Sequence, residues 1–393
     1  MTPLALADRH AVVADKNPDD VPCLLDALHR MAPLIGERRA DFDRLRRLPD
    51  EVFDALAEAG LFRLWLPRAL GGPELSPFEF IRVVEAASRL DASVGWLVGN
   101  GGGMSRAGGY LPKTVAAEWF ANPRAFIAAA TGAVGAAKPV PGGYRVSGRW
   151  PFGSGAHHAS QFMVLAAEEP EAPRLCCYVD RSDVTILDNW HVSGLRGTGS
   201  CDFELHDVFV PAAQVHPFFD VKPSDPGLVY RMPPVSIFAS SISGVPLGIA
   251  RDAIEAFVEL ASRRSSADTA AALRDREPAQ ATVGRAEALH RAGRAFLVEA
   301  MTELMAATDR GGERLATARA AFRMAASHVA ETTVAIVDML ANSAGSPSIY
   351  EACKLERAVR DARAAARHVA FGPANYVVGG RLALGLDPGT SRF

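Results

Sequence analysis

The chain has 393 residues, 49% of them hydrophobic and 22% charged, with a formal net charge of −3. That length exceeds one ordinary domain and carries ample apolar material for a large core. Without a basic excess, a Lys/Arg tract or an apolar stretch of bilayer-spanning length, the sequence points away from nucleic acid and membrane.

The first residues, MTPLALADRH, lack a basic region followed by an apolar stretch, so no signal peptide is expected. The five cysteines (Cys23, Cys176, Cys177, Cys201 and Cys353) have neither zinc-like nor CxxC spacing. They point to no metal and to a reducing compartment, the cytoplasm. From about Asp19 to Trp119 the pattern is helical. Pro49 and Asp50 suit a helix start, Val52, Phe53, Leu56 and Ala59 form one apolar face, and Gly60 suits the stop. A second helix is expected from Ser76 through Leu90, with Phe80, Val83, Val84 and Ala87 inward.

From about Phe126 to Val221 short apolar runs (Tyr144 to Trp150, Gln161 to Ala166, Leu175 to Val179, Asp202 to Val210) alternate with Gly, Pro, Asp and Ser. This is the punctuation of strands, and so many in so short a length predict a small barrel or sandwich. Beyond about Ser236 the pattern is helical again. The run Ala316 to Leu340 carries more apolar residues than one core needs, which predicts a bundle that also builds a subunit interface. The polar stretch Ser265 to Pro278 reads as a loop between two long helices. The organisation predicted is α+β: helices over 1–125, a β domain over 126–225 and a helical bundle over 226–393. It is not the alternating βα order of a dinucleotide-binding domain, and no GxGxxG links a strand to a helix, so no nicotinamide site is expected.

Two strings in the β region carry chemistry. In GYRVSGRWPFGSG (143–155), Gly153 and Gly155 allow close approach to a planar ring. Trp150 and Phe152, two apart on a strand, are expected to present flat apolar surface on one face, and Ser154 offers a hydroxyl. In WHVSGLRGTGS (190–200), Thr198 and Ser200 offer hydroxyls to a phosphate or ring edge, and Arg196 either pairs an anion or braces the turn.

Together with the flanking helices, these strings and DVFVP (207–211) resemble the acyl-CoA dehydrogenase superfamily over nearly the whole chain. Within it they look most like the two-component flavin monooxygenases, such as phenol hydroxylase oxygenase components. The resemblance implies an N-terminal helical domain, a central β-barrel and a C-terminal four-helix bundle, assembled as a homotetramer. It also implies reduced FMN or FADH2 supplied by a separate NAD(P)H:flavin reductase, O2 as co-substrate, and oxidation through a flavin C4a-hydroperoxide. It places Trp150, Phe152, Gly153, Ser154, Thr198 and Ser200 beside the flavin, and Arg263 and Arg264 at its phosphate. An aromatic, polycyclic or N/S-containing small molecule is the implied substrate.

The dehydrogenases of the superfamily draw a catalytic glutamate from a position after a Glu-Arg-x-x-Arg-Asp pattern. That pattern is present as Glu356 to Asp361, but Val369 stands where the glutamate is expected and no carboxylate occurs between Asp361 and Asp387. A valine cannot abstract a proton. The monooxygenases have a histidine here, which makes His368 the catalytic candidate together with Ser154; an imidazole suits proton traffic at neutral pH. The phenol-hydroxylating relatives carry a second histidine shortly after a tryptophan like Trp96. Here Met104 occupies that place, and Asn100 and His157 become the candidate substrate contacts, away from simple phenol hydroxylation. The glycines between Asn100 and Met104 are expected to open space. Two rival functions are an FAD-bound acyl-CoA dehydrogenase with another base, and a scaffold that has lost catalysis.

Overall fold

The computed structural model describes residues 20–263 and 272–390. Five helices come first: α1 (Asp20–Leu45), α2 (Asp50–Glu58), α3 (Pro77–Leu90), α4 (Ala92–Met104) and α5 (Lys113–Phe120). Local signals fix their ends. Ser76 and Glu79 form a reciprocal capping box on α3 with Pro77 in the first turn, which satisfies amide groups that the helix cannot. Phe80, Val83, Val84 and Ala87 then bury one face of α3 completely, each large side chain contributing about 2 kcal/mol.

α4 breaks local rules. Its sequence, ASVGWLVGNGGGM, is poor in helix formers, and each glycine costs about 1 kcal/mol against alanine. The glycines do not open space, as expected; they close it. A Cβ at Gly99 would lie 2.4 Å from the Ser241 carbonyl oxygen, and one at Gly101 2.4 Å from the Phe126 ring. Glycine lets α4 run through the middle of the molecule with neighbours on every side.

The β region is one seven-stranded sheet of order β5-β6-β2-β1-β3-β4-β7. Its strands are β1 (Ile127–Val140), β2 (Gly143–Gly153), β3 (Gln161–Ala167), β4 (Leu175–Asp180), β5 (Thr185–Ile186), β6 (Cys201–Pro211) and β7 (Val215–Pro217). Only β1 and β3 pair in parallel. The sheet curls around its own core: Phe162 of β3 and Phe203 of β6 have ring centroids 4.7 Å apart, although β1 and β2 lie between those strands.

The remaining helices are α6 (Leu228–Arg231), α7 (Pro234–Ile242), α8 (Gly244–Ser262), α9 (Glu277–Thr308), α10 (Gly312–Ala344), α11 (Lys354–Ala365) and α12 (Ala374–Ala383). α8, α9, α10 and α11 pack as a bundle. The loop expected from Ser265 to Pro278 lies partly outside the described residues, and α9 already begins at Glu277. Among the described residues no helix is long and apolar enough to cross a membrane.

Candidate active site

Between Trp150 and Gly153 the register of β2 against β6 shifts, and Phe152 adopts a left-handed φ of 65°. The kink separates two side chains that simple alternation puts on one face. Trp150 is completely buried; its indole stacks near Phe203 and donates Nε1–H to the Leu165 carbonyl at 2.9 Å. It is a core residue, which corrects its expected place on a ring-binding face. Phe152 is 64% exposed, with the Trp190 ring set edge-on at 6.3 Å. Strained backbone conformations cluster at functional sites, which makes the exposed Phe152 a candidate contact. Gly153 and Gly155 do approach rings, but the protein's own: a Cβ would lie 2.8 Å from Phe203 at Gly153 and 2.6 Å from Phe126 at Gly155.

Past the kink, Ser154 joins a chain of buried hydroxyls. Trp96 of α4 donates its indole N–H to Ser154 Oγ at 3.0 Å. Ser154 Oγ and Ser200 Oγ lie 2.8 Å apart, Ser200 Oγ and Thr198 Oγ1 2.7 Å apart, and Thr198 donates to the Leu195 carbonyl at 2.8 Å. The loop bearing Thr198 and Ser200 is strained in turn, with Leu195 left-handed at φ 54°. Asp361 on α11 holds it there, accepting the Leu195 amide at 2.6 Å, while Gly194 lies so close to α11 that a Cβ would meet the Arg360 carbonyl at 2.2 Å.

The Glu356-to-Asp361 string therefore has a positioning job. Arg360 pairs with Glu356 at 2.6 Å and donates to the Ser193 carbonyl at 2.8 Å. Arg357 reaches Asp43 of α1 at 2.8 Å and Asp91 at the start of α4 at 3.7 Å. Burial, and then the nearby Asp91, push the Asp361 carboxyl up to about 7.

His368 comes to the same place from the C-terminal side. Its ring meets Trp96 edge-on at 5.5 Å and Phe371 at 6.1 Å. It caps the short turn Val369–Phe371, its Nδ1 accepting the Ala370 amide at 3.2 Å. The free proton thus sits on Nε2. Although the ring is reached by solvent, desolvation by the surrounding walls lowers its pKa to about 4, so it is neutral at pH 7. Val369 beside it is 63% exposed and carries no proton-transfer group.

The other candidates lie elsewhere. Asn100, one turn beyond Trp96, donates back to the Trp96 carbonyl at 2.8 Å. Met104, a further turn on, is buried in a separate apolar cluster. It lines a recess with Arg106, Tyr110, Tyr178, His216 and Phe238. His157 neighbours Cys201 Sγ at 3.5 Å and the Arg46–Asp188 pair, not Trp96 or His368. His158 is packed flat on Phe53 at 4.2 Å. Arg263 pairs with Glu259 at 2.6 Å on the exposed end of α8, and Arg264 lies outside the described residues. Sequence reasoning missed Trp96 and Trp190 as parts of the site and Asp361 as its brace; the Glu-Arg-x-x-Arg-Asp string was the available signal for the last. Among the described residues no cluster of His, Cys, Asp or Glu is placed to hold a metal.

Residues 29–108 match the acyl-CoA dehydrogenase N-terminal domain, and residues 240–373 match the acyl-CoA dehydrogenase C-terminal domain. Indole-3-acetate monooxygenase of Pseudomonas putida is 31% identical over 358 residues, covering 89% of this chain and 91% of the relative. The chain belongs to the acyl-CoA dehydrogenase superfamily, in its flavin-dependent monooxygenase branch. The monooxygenase oxygenase subunit HsaA of Mycobacterium tuberculosis is 30% identical over 386 residues, covering 94% of this chain and 97% of the relative. The solved structure of XiaF from Streptomyces sp., in complex with FADH2 and glycerol, superposes with a TM-score of 0.86 at 27% identity, covering 95% of this chain and 97% of that one. The helix–β–helix order and curled sheet are those of this superfamily.

Proposed function

We propose that this protein is the oxygenase component of a two-component monooxygenase. It takes FMNH2 or FADH2 from a separate NAD(P)H:flavin reductase and oxidises an aromatic, polycyclic or N/S-containing small molecule with O2. The observation that supports this reading is the contact of Trp96 with both Ser154 and His368, with the exposed Phe152 two residues before Ser154 and Val369 where a carboxylate is expected. These residues fit a flavin: Phe152 offers a bare ring face beside Trp190, and Ser154 meets the polar edge of such a ring.

The bound reduced flavin supplies the electrons that activate O2. The chain's own residues orient and shield. Ser154 engages the flavin edge, and Thr198 and Ser200 hold that hydroxyl in place. Neutral His368 presents Nε2–H, because its Nδ1 is committed to Ala370; it acts as a hydrogen-bond donor to oxygen or substrate, and as a base only if that bond is released. Phe152, Trp190 and Trp96 keep water from the reacting atoms. Indole-3-acetate, oxidised by the Pseudomonas putida relative according to its name, is a rational first substrate to assay. The exposed Val377, Leu384 and Leu386 at the C-terminal end support burial of that surface in a homotetramer.

The test couples the protein to a flavin reductase and measures oxidised substrate and hydrogen peroxide per NADH consumed. Ser154→Ala and His368→Ala are each expected to lower product per NADH by roughly 10- to 100-fold, with peroxide rising in step. Unchanged coupling in both variants would remove these residues from the mechanism.

A further inference from the structure

The hydroxyl chain has a direction, set by the one acceptor in it that cannot donate. Thr198 has one hydroxyl proton, and it goes to the Leu195 carbonyl, which can only accept. The contact between Ser200 and Thr198 then needs the Ser200 proton, and that between Ser154 and Ser200 needs the Ser154 proton. Trp96, a donor only, fills one lone pair of Ser154. All three hydroxyls are buried, at 6% exposure or less, so water does not relax the pattern. What Ser154 has left to offer a ligand is a lone pair and no proton.

Resting on the flavin reading above, we propose that Thr198, acting through Ser200, is a positioning residue that makes this site select reduced over oxidised flavin. Reduced flavin carries an N–H at N5 and donates there, whereas oxidised flavin has only a lone pair at N5 and needs a donor. For Ser154 to donate outward, Ser200 must turn its proton to Ser154 and Thr198 its proton to Ser200, at the cost of the Thr198–Leu195 hydrogen bond. One such bond is worth about 1 kcal/mol, a discrimination of roughly fivefold. The Leu195 amide bond to Asp361 fixes the carbonyl that anchors this direction.

The test measures Kd for FMN and FAD, each oxidised in air and reduced anaerobically with dithionite, by equilibrium ultrafiltration on the whole protein. In wild type the reduced form is expected to bind more tightly. Thr198→Val removes the anchoring donor at nearly constant shape, and Ser200→Ala cuts the link to Ser154. Each is expected to cut the ratio of oxidised to reduced Kd by roughly fivefold, chiefly by improving the oxidised form. Trp96→Phe leaves the direction intact and is expected to shift both forms together. A full wild-type ratio in folded Thr198→Val and Ser200→Ala, verified by circular dichroism, overturns the proposal. So does a wild-type protein that binds both forms equally, and in that case the oxygenase reading stands. A wild type that binds neither form overturns the oxygenase reading itself.

Discussion

The two ends of α4 handle buried polarity in opposite ways. At the first end, Asp91 caps the helix through Ser93 and sits among Arg39, Arg357 and Asp361. Leu195 joins Asp361 to the hydroxyls facing Trp96, its amide donating to the carboxylate and its carbonyl accepting from Thr198. At the other end Arg106 is buried, and no carboxylate among the described residues pairs with it. Its partners are the Tyr110 hydroxyl and the ring faces of Tyr110 and Phe238. Burial lowers its pKa to about 10, which still leaves it charged at pH 7. At the first end the Asp91 carboxylate faces Arg39 at 3.6 Å and Arg357 at 3.7 Å, although Asp91 Oδ2, Arg39 Nε and Ser93 Oγ make no hydrogen bond; the other end retains an uncompensated charge beside a recess.

Removing a brace at the first end should cost most. Asp361→Ala frees the Leu195 amide, leaves a left-handed leucine without its clamp and unbalances Arg357 and Arg360. A loss of about 2 kcal/mol in urea unfolding is expected, and weaker binding of reduced flavin with it. Asp361→Asn keeps an acceptor oxygen and should lose less. Equal losses for alanine and asparagine would show that charge, not the amide bond, holds the loop.

Arg106→Met should have the opposite sign. An apolar side chain of similar length spares the desolvation of an unpaired cation, so stability should be unchanged or rise by about 1 kcal/mol. A loss above that size would show that the contacts to Tyr110 and the rings outweigh the buried charge.

The smallest contrast lies in pH. His216 beside Arg106 and His368 beside Trp96 are both held below the ordinary histidine range, His216 by burial first and then by Arg106, His368 by desolvation to about 4. A depressed histidine pKa means that the unfolded chain takes up protons first. Stability is therefore retained above about 6.5 and lost as pH falls toward 4. His216→Gln should flatten that acid limb only in part, because the shares of His368 and of the buried His158 and His290, all lowered to about 4, remain. A urea midpoint measured from pH 7.5 to 4.5 reads the His216 share; an unchanged slope in His216→Gln would mean that its ring gains no proton on unfolding.

How legible each part was in the sequence follows from how local its cause is. The ends of α2 and α3 follow from Pro49, Gly60, Ser76 and Glu79 because caps and turns act within four residues. The strand β1 was not delimited in the sequence. Its AAATGAVGAAKPV stretch has little strand propensity, and it is extended because β2 and β3 pair with it on both sides. Ser154, Thr198, Ser200 and His368 were visible as residue types at suggestive spacing. Trp150 was misplaced because the kink at Phe152 breaks the alternation on which the expectation rested. The glycines of α4 were read as room when they mark contact, since a sequence does not show what stands opposite a missing Cβ.

The sequence by itself determined the helix–β–helix order and the absence of a carboxylate between Asp361 and Asp387, both properties of residue type and spacing, while its resemblance to known families pointed to the branch of the superfamily. Only the tertiary structure decided which aromatic of the kinked strand is buried and which exposed, which nitrogen of His368 keeps the proton, and which way the hydroxyls point. Those depend on groups far apart in the chain (Trp96, Leu195 and Asp361 around Ser154), and a hydrogen bond takes its direction from the partner that can only give or only receive.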